Sequence, residues 1–179
     1  MVADTGKWLP GRKVLISPSA VADWDWKTDR IPVRLTMEDI QNCPPLASDM
    51  PVSRQYEQTL VDQYGWIPYW HGPHAWGPVA TPFSKADIRV KPIESIESAG
   101  ERHLRSVKEV AGYDVEAIDD RVGRVDDFFL EHDVWAIRYL VVDTRKWLSG
   151  RKVLISPTWA SRIDWKRSQL QVRMNRGAI

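Results

Sequence analysis

The chain repeats part of itself. DTGKWLPGRKVLISPSA, from Asp4, returns as DTRKWLSGRKVLISPTW, from Asp143. The spacing holds without a gap further along: Asp25-Trp26-Lys27 falls on Asp164-Trp165-Lys166, and Val33-Arg34 on Val172-Arg173. About half of roughly 35 aligned positions are identical, which marks a duplicated structural unit. The copies are unequal. The stretch from His103 to Val142 has no counterpart before Asp4, and Met1 falls opposite Leu140, in what reads as mid-strand.

Period-2 patterning makes the second copy a series of short strands. Tyr113–Ile118 ends at Asp119-Asp120-Arg121-Val122-Gly123, whose acids and late glycine suit a turn. Gly123–Leu130 follows. Ala136–Asp143 is apolar on both faces, as a central strand should be. Lys152–Ser156 is stopped by Pro157, which has no N–H for a ladder. Arg162–Lys166 and Leu170–Met174 alternate, with Ile163, Trp165, Leu170, Val172 and Met174 inward. Six short strands favour a small closed barrel, because closure removes exposed edges. A turn of helix at Ser106–Val110 leads in.

The first copy supplies only the later strands, expected at Lys13–Ser17, Val21–Lys27 and Ile31–Leu35. Left alone, they keep an unpaired edge and an apolar face. Two chains joining half-units across a two-fold axis would complete one barrel, giving a homodimer with Val14, Ile16, Trp24 and Val33 in its interface. The rival is a longer N-terminus that completes the barrel in cis. Between the copies, Thr36-Met37-Glu38-Asp39 caps a helix that Cys43-Pro44-Pro45 ends. Ser53 opens a second helix with Tyr56, Leu60 and Tyr64 on one face, closed by Gly65. Residues 66–83 read as aromatic loop, and 84–99 as weakly patterned and mobile. The expected domains are 1–36, an incomplete first unit; 37–99, a helical and aromatic linker; and 100–176, a complete barrel.

Charge is balanced, with 25 Lys and Arg against 24 Asp and Glu, which excludes a generally basic nucleic-acid binder. One cysteine, Cys43, allows neither an intrachain disulfide nor a cysteine cage for metal. No run of about 18 apolar residues suggests a membrane span, nor does the N-terminus look like an export signal. The cytoplasm is the expected location.

No constellation of reactive residues stands out, and catalytic, metal and cofactor sites are all expected to be absent. His71 and His74 flank Gly-Pro, so they share no helix face, and no third ligand is near in sequence. Asp126 and Asp127 are strand neighbours on opposite faces, while Asp119 and Asp120 read as turn residues. Gly11-Arg12-Lys13 lacks the glycine spacing and following helix of a phosphate loop. The repeated tryptophans Trp8, Trp26, Trp147 and Trp165 read as packing and turn residues. Tyr64, Trp66, Tyr69, Trp70 and Trp76 are types favoured at interface centres and form a candidate partner surface. Glu101–Ile137 holds ten acids against five bases, whereas Arg138–Arg176 holds ten bases and two acids. Such segments pair within one barrel, or the late strands offer a basic face to RNA.

The run GYDVEAIDDRVGRVDDFFLEHDVWAIRYLVVDTRKWLSGRKVLISP, Gly112 to Pro157, resembles a PRC-barrel domain. The matching pieces are the Gly-Tyr strand, the D-x-x-x-G turn, the V-D-x-F strand, and R-Y-L-V-V-D leading into Gly-Arg-Lys-Val-Leu-Ile-Ser-Pro. That family is named for the photosynthetic reaction-centre H subunit and includes the C-terminal domain of a ribosome maturation factor. The linker pieces Pro51–Tyr56 and Tyr64-Gly65-Trp66 resemble those of bacterial tandem members. The resemblance implies an all-β fold and a non-enzymatic module that docks on other macromolecules, with no cofactor. The expected function is therefore a scaffold or adaptor for protein partners that self-associates through the half-barrel. The alternative is an RNA- or ribosome-associated assembly factor using the basic late strands.

Overall fold

The computed structural model describes residues 1–23, 27–46, 52–82, 102–144 and 151–179. They fall into two compact units, Met1–Leu104 and Arg105–Ile179. The first spans the described residues of both the expected half-unit, 1–36, and the expected linker, 37–99.

In the first unit, strands β1 (Val2–Asp4) and β2 (Lys13–Leu15) pair antiparallel. A short 3-10 turn, Pro18–Ala20, follows. Helix α1 (Met37–Asn42) starts at Thr36, whose hydroxyl accepts from the Asp39 amide while the Asp39 carboxylate accepts from the Thr36 amide. Those bonds hold the Asp39 carboxyl below its ordinary range. Strand β3 (Val52–Ser53) leads into helix α2 (Arg54–Tyr64), capped by Ser53 and closed by Gly65 in the left-handed conformation, φ 64°. Strand β4 (Arg102–Leu104) pairs with β3.

The second unit opens with α3 (Val107–Val110). Strands β5 (Asp114–Glu116), β6 (Arg121–Glu131), β7 (Ala136–Asp143), β8 (Lys152–Ile155), β9 (Ala160–Asp164) and β10 (Gln169–Val172) form one sheet in the order β8-β7-β6-β5-β10-β9. Only β10 and β5 run parallel; the other neighbours are antiparallel. One face buries Val115, Val122, Val125, Leu140, Val142, Ile155, Leu170 and Val172 around Tyr113. All six expected strands are present, within a few residues of their predicted ends.

The related segments pair in matching registers. Val2 faces Leu15 as Val141 faces Leu154, and Ala3 faces Val14 as Val142 faces Val153. Thr5 and Thr144 each donate a hydroxyl hydrogen bond to the carbonyl of Arg12 or Arg151. Ser17 and Ser156 each cap a 3-10 turn.

Three expectations fail. The described residues of Val21–Lys27 and Ile31–Leu35 form no strand: only a Val21–Val33 bridge remains of that ladder among them, and residues 24–26 lie outside the described residues. In the barrel, β10 gains a second ladder from β5; no described residues supply one here, and a lone ribbon is marginal. Second, β7 is central yet not buried on both faces, since Ile137 and Tyr139 are exposed. Third, Trp165 lies beyond the end of β9 and is exposed, set edge-on to Tyr113 with the Arg105 guanidinium 4.3 Å above its ring. Trp26, Trp147 and the segment 84–99 lie outside the described residues.

Candidate functional site

The amphipathic face of α2 decides what becomes of the half-unit. Leu60, one helical turn beyond Tyr56, packs into a core with Val14, Ile16, Ala20 and Cys43. Val33, Leu35, Ile40, Tyr56, Tyr64 and Trp66 close around it. The Tyr56 and Tyr64 hydroxyls donate to the carbonyls of Pro44 and Asp39, at 2.7 and 2.8 Å. Burial raises both phenols, Tyr56 to about 12.

The residues of the expected dimer interface that are described lie in or against this core. Val14 and Ile16 are 1% and 5% exposed, covered by the chain's own helix and aromatic loop. Val33 packs against the same cluster, and Trp24 lies outside the described residues. The apolar face of β2 is packed by residues of the same chain.

The five aromatic residues of the candidate partner surface divide between two settings. Tyr64 stacks on Trp66 with ring centroids 4.5 Å apart and serves the core. Trp66, Tyr69, Trp70 and Trp76 instead line a cleft of about 240 Å³. Its remaining wall comes from Leu15, Ile16, Leu60, Val61, Ile67 and Glu57, among others. The loop that carries the rings is tightly folded: His74 and Gly77 exchange two backbone hydrogen bonds, and a Cβ on Gly77 would sit 2.6 Å from the Pro68 carbonyl oxygen. Tyr69 and Trp70 meet edge to face at 5.0 Å.

Glu57 and Arg54 were not singled out from sequence. Glu57 is 5% exposed, in the wall of the cleft. Burial raises its pKa; a hydrogen bond with Tyr69 and the Arg54 charge act in the opposite sense. The Arg54 guanidinium lies 3.9 Å from the Trp70 ring centre and 5.2 Å from that of Tyr69. Burial and the neighbouring Glu57 charge push Tyr69 up to about 12. A charged residue on the inner face of a helix was the available signal, because such a residue is seldom buried unless paired.

The second unit offers an open sheet face. Phe129 pairs with Tyr139 and Leu130 with Ile137, while Leu154 on β8 pairs with Val141. Phe129, Leu130, Ile137, Tyr139 and Leu154 are each at least 40% exposed. The signal was present in Phe128-Phe129-Leu130: a strand alternates, so three apolar residues in a row place at least one outward. In the same unit acids and bases pair, Lys152 with Asp126 at 2.7 Å and Arg138 with Glu131 across strands, and Arg176 of the C-terminal 3-10 turn with Asp120 of the turn before β6.

His71 packs against Trp70, and among the described residues no cluster of His, Cys, Asp or Glu could hold a metal. Asp126 faces Lys152 while Asp127 accepts from the Phe128 amide, so the two carboxylates serve different partners. Among the described residues no helix is long and apolar enough to cross a membrane.

A mainly β unit with a short lead-in helix, a packed inner face and an apolar outer face defines a small interaction module. Residues 103–175 match the family model of the PRC-barrel domain, and the Arg105–Ile179 unit is a PRC-barrel domain. Such domains are scaffold and interaction modules and are generally non-catalytic. No curated protein matches the chain.

Proposed function

We propose that the chain is a non-enzymatic scaffold or adaptor that meets protein partners through the outer face of its PRC-barrel domain. One observation carries this reading: the contiguous exposed apolar set on β6, β7 and β8. Burying a side chain of that size is worth roughly 1.5–3 kcal/mol, and apolar patches on soluble domains mark interaction surfaces. The shared registers also support reading the β1–β2 segment as part of a tandem copy, packed in cis against α2. A cytoplasmic setting fits a chain whose single cysteine is buried. An RNA-binding reading is weakened at Arg138, Lys152 and Arg176, which are paired with acids of β6 and the turn before it.

The test is affinity capture from cell extract at low and high salt, with Tyr139→Ser and Leu154→Ser compared to the unmodified chain. Partners retained at high salt and lost in both variants, with unchanged circular dichroism, support the reading. Capture indifferent to both substitutions, or a steep salt dependence of the nucleic-acid kind, refutes it. Steady turnover of a small substrate would likewise overturn it.

A further inference from the structure

The geometry points to the cleft in the Met1–Leu104 unit as a binding site for an organic ammonium group, a cation carried on an apolar stem. Four aromatic side chains, Trp66, Tyr69, Trp70 and Trp76, line it. The π faces of such rings attract cations, most strongly where water is excluded. Glu57 is the only charged side chain among the described lining residues, and its side chain is 6% exposed. A neutral ligand filling the cleft would strip the last water from that carboxylate and return nothing for it. A cation returns a charge.

A cation already lies against two of these rings, from a residue that is not itself in the lining. Arg54 lies over Trp70 and Tyr69, which shows that these two rings accept a guanidinium at 3.9 and 5.2 Å. Its contact with Glu57 is 3.4 Å, longer than the ~2.7–2.9 Å of a charge-assisted hydrogen bond. Arg54 therefore satisfies the carboxylate only loosely, and its side chain is 24% exposed, with water in reach. An incoming ammonium would compete with Arg54 for Glu57 and for the ring faces. A volume of about 240 Å³ admits a trimethylammonium with a short stem. Two sources share this chemistry, a free quaternary amine and a methylated lysine of another protein.

Calorimetric titration of the full chain with choline, and with the neutral alcohol in which carbon replaces its quaternary nitrogen, tests the site. Choline is expected to bind about tenfold tighter than the alcohol and to shift the indole N–H resonances of Trp70 and Trp76. Glu57→Gln should bring the two affinities within about twofold. Arg54→Gln, which leaves the core untouched, should tighten choline binding and keep the preference. A peptide with one trimethyllysine, set against the same peptide with norleucine, separates the sources. A peptide preference beyond that of choline assigns the site to a partner protein; otherwise it belongs to a free amine. Equal affinity for choline and the alcohol, no binding of either, or a preference that survives Glu57→Gln overturns the proposal. The cleft and the barrel's outer face lie in different units, so failure of one reading leaves the other standing.

Discussion

Replacing Gly123 with alanine tests how tightly β6 is held against β7. The backbone of Gly123 is not in the left-handed region, so an L-residue is conformationally acceptable there; space alone forbids it. An added Cβ would lie 2.9 Å from the carbonyl carbon of Asp143, closer still to its oxygen, and 3.2 Å from Cγ1 of Val142. Both are residues of the neighbouring strand, and backbone cannot swing aside as a side chain can. The strands must part by roughly 0.5 Å or more, which already forfeits a quarter or more of the local dispersion energy. Overpacking of this kind costs about 1–3 kcal/mol. Loosened ladder bonds at the adjoining pairs Val115–Gly123 and Arg124–Asp143 add about 1 kcal/mol. A total near 3 kcal/mol corresponds to exchange of the Val125 and Val142 amides on the order of a hundredfold faster. Native-state hydrogen exchange on the full chain reads this directly. Gly112→Ala is the comparison: φ is +92° and nothing lies within 4 Å of its Cβ, so its cost is conformational, about 1–2 kcal/mol. A Gly123→Ala effect below that of Gly112→Ala would refute the steric reasoning.

Three further outcomes follow from the packing. Thr144 is 1% exposed and its hydroxyl donates to Arg151 at 2.6 Å; Thr144→Val should cost about 1 kcal/mol in urea unfolding, and Thr5→Val no more, because Thr5 is only half-buried. Val14→Ala should destabilise by about 1–3 kcal/mol while leaving the sedimentation mass unchanged; a change of oligomeric state would restore the interchain role of that face. The raised pKa of Glu57 means the folded chain holds its proton to higher pH than the unfolded chain. Its contribution is fully present below the unfolded pKa and is lost as pH rises through the folded one. The urea midpoint should therefore carry a downward pH slope in that window that Glu57→Gln removes; an identical slope in both proteins would show that Glu57 does not titrate out of step.

Local patterning made the barrel legible. Strand β7 falls where the alternation of Ala136–Asp143 places it, and Ser53 and Gly65 mark the ends of α2 through side-chain capping and a left-handed turn. These signals lie within a few residues of the backbone they direct. The fate of Val14 and Ile16 did not lie there. An apolar strand face predicts that something will cover it, not which segment will, and Leu60 reaches it from far along the chain. Burial of Glu57 beside Tyr69 was hidden for the same reason, since Arg54, Glu57 and the aromatic loop converge only after α2 has docked.

Sequence by itself determined the strands, the caps, the matching of Asp4–Ser17 with Asp143–Ser156, and the PRC-barrel character of the later unit. These depend on backbone conformation and on periods of two or about four residues. Tertiary structure alone decided that the half-unit closes on its own linker, and that β7 leaves Ile137 and Tyr139 in the open. The hydrophobic effect is non-directional: it requires that apolar surface be covered and leaves the choice of cover to whichever segment the fold brings near.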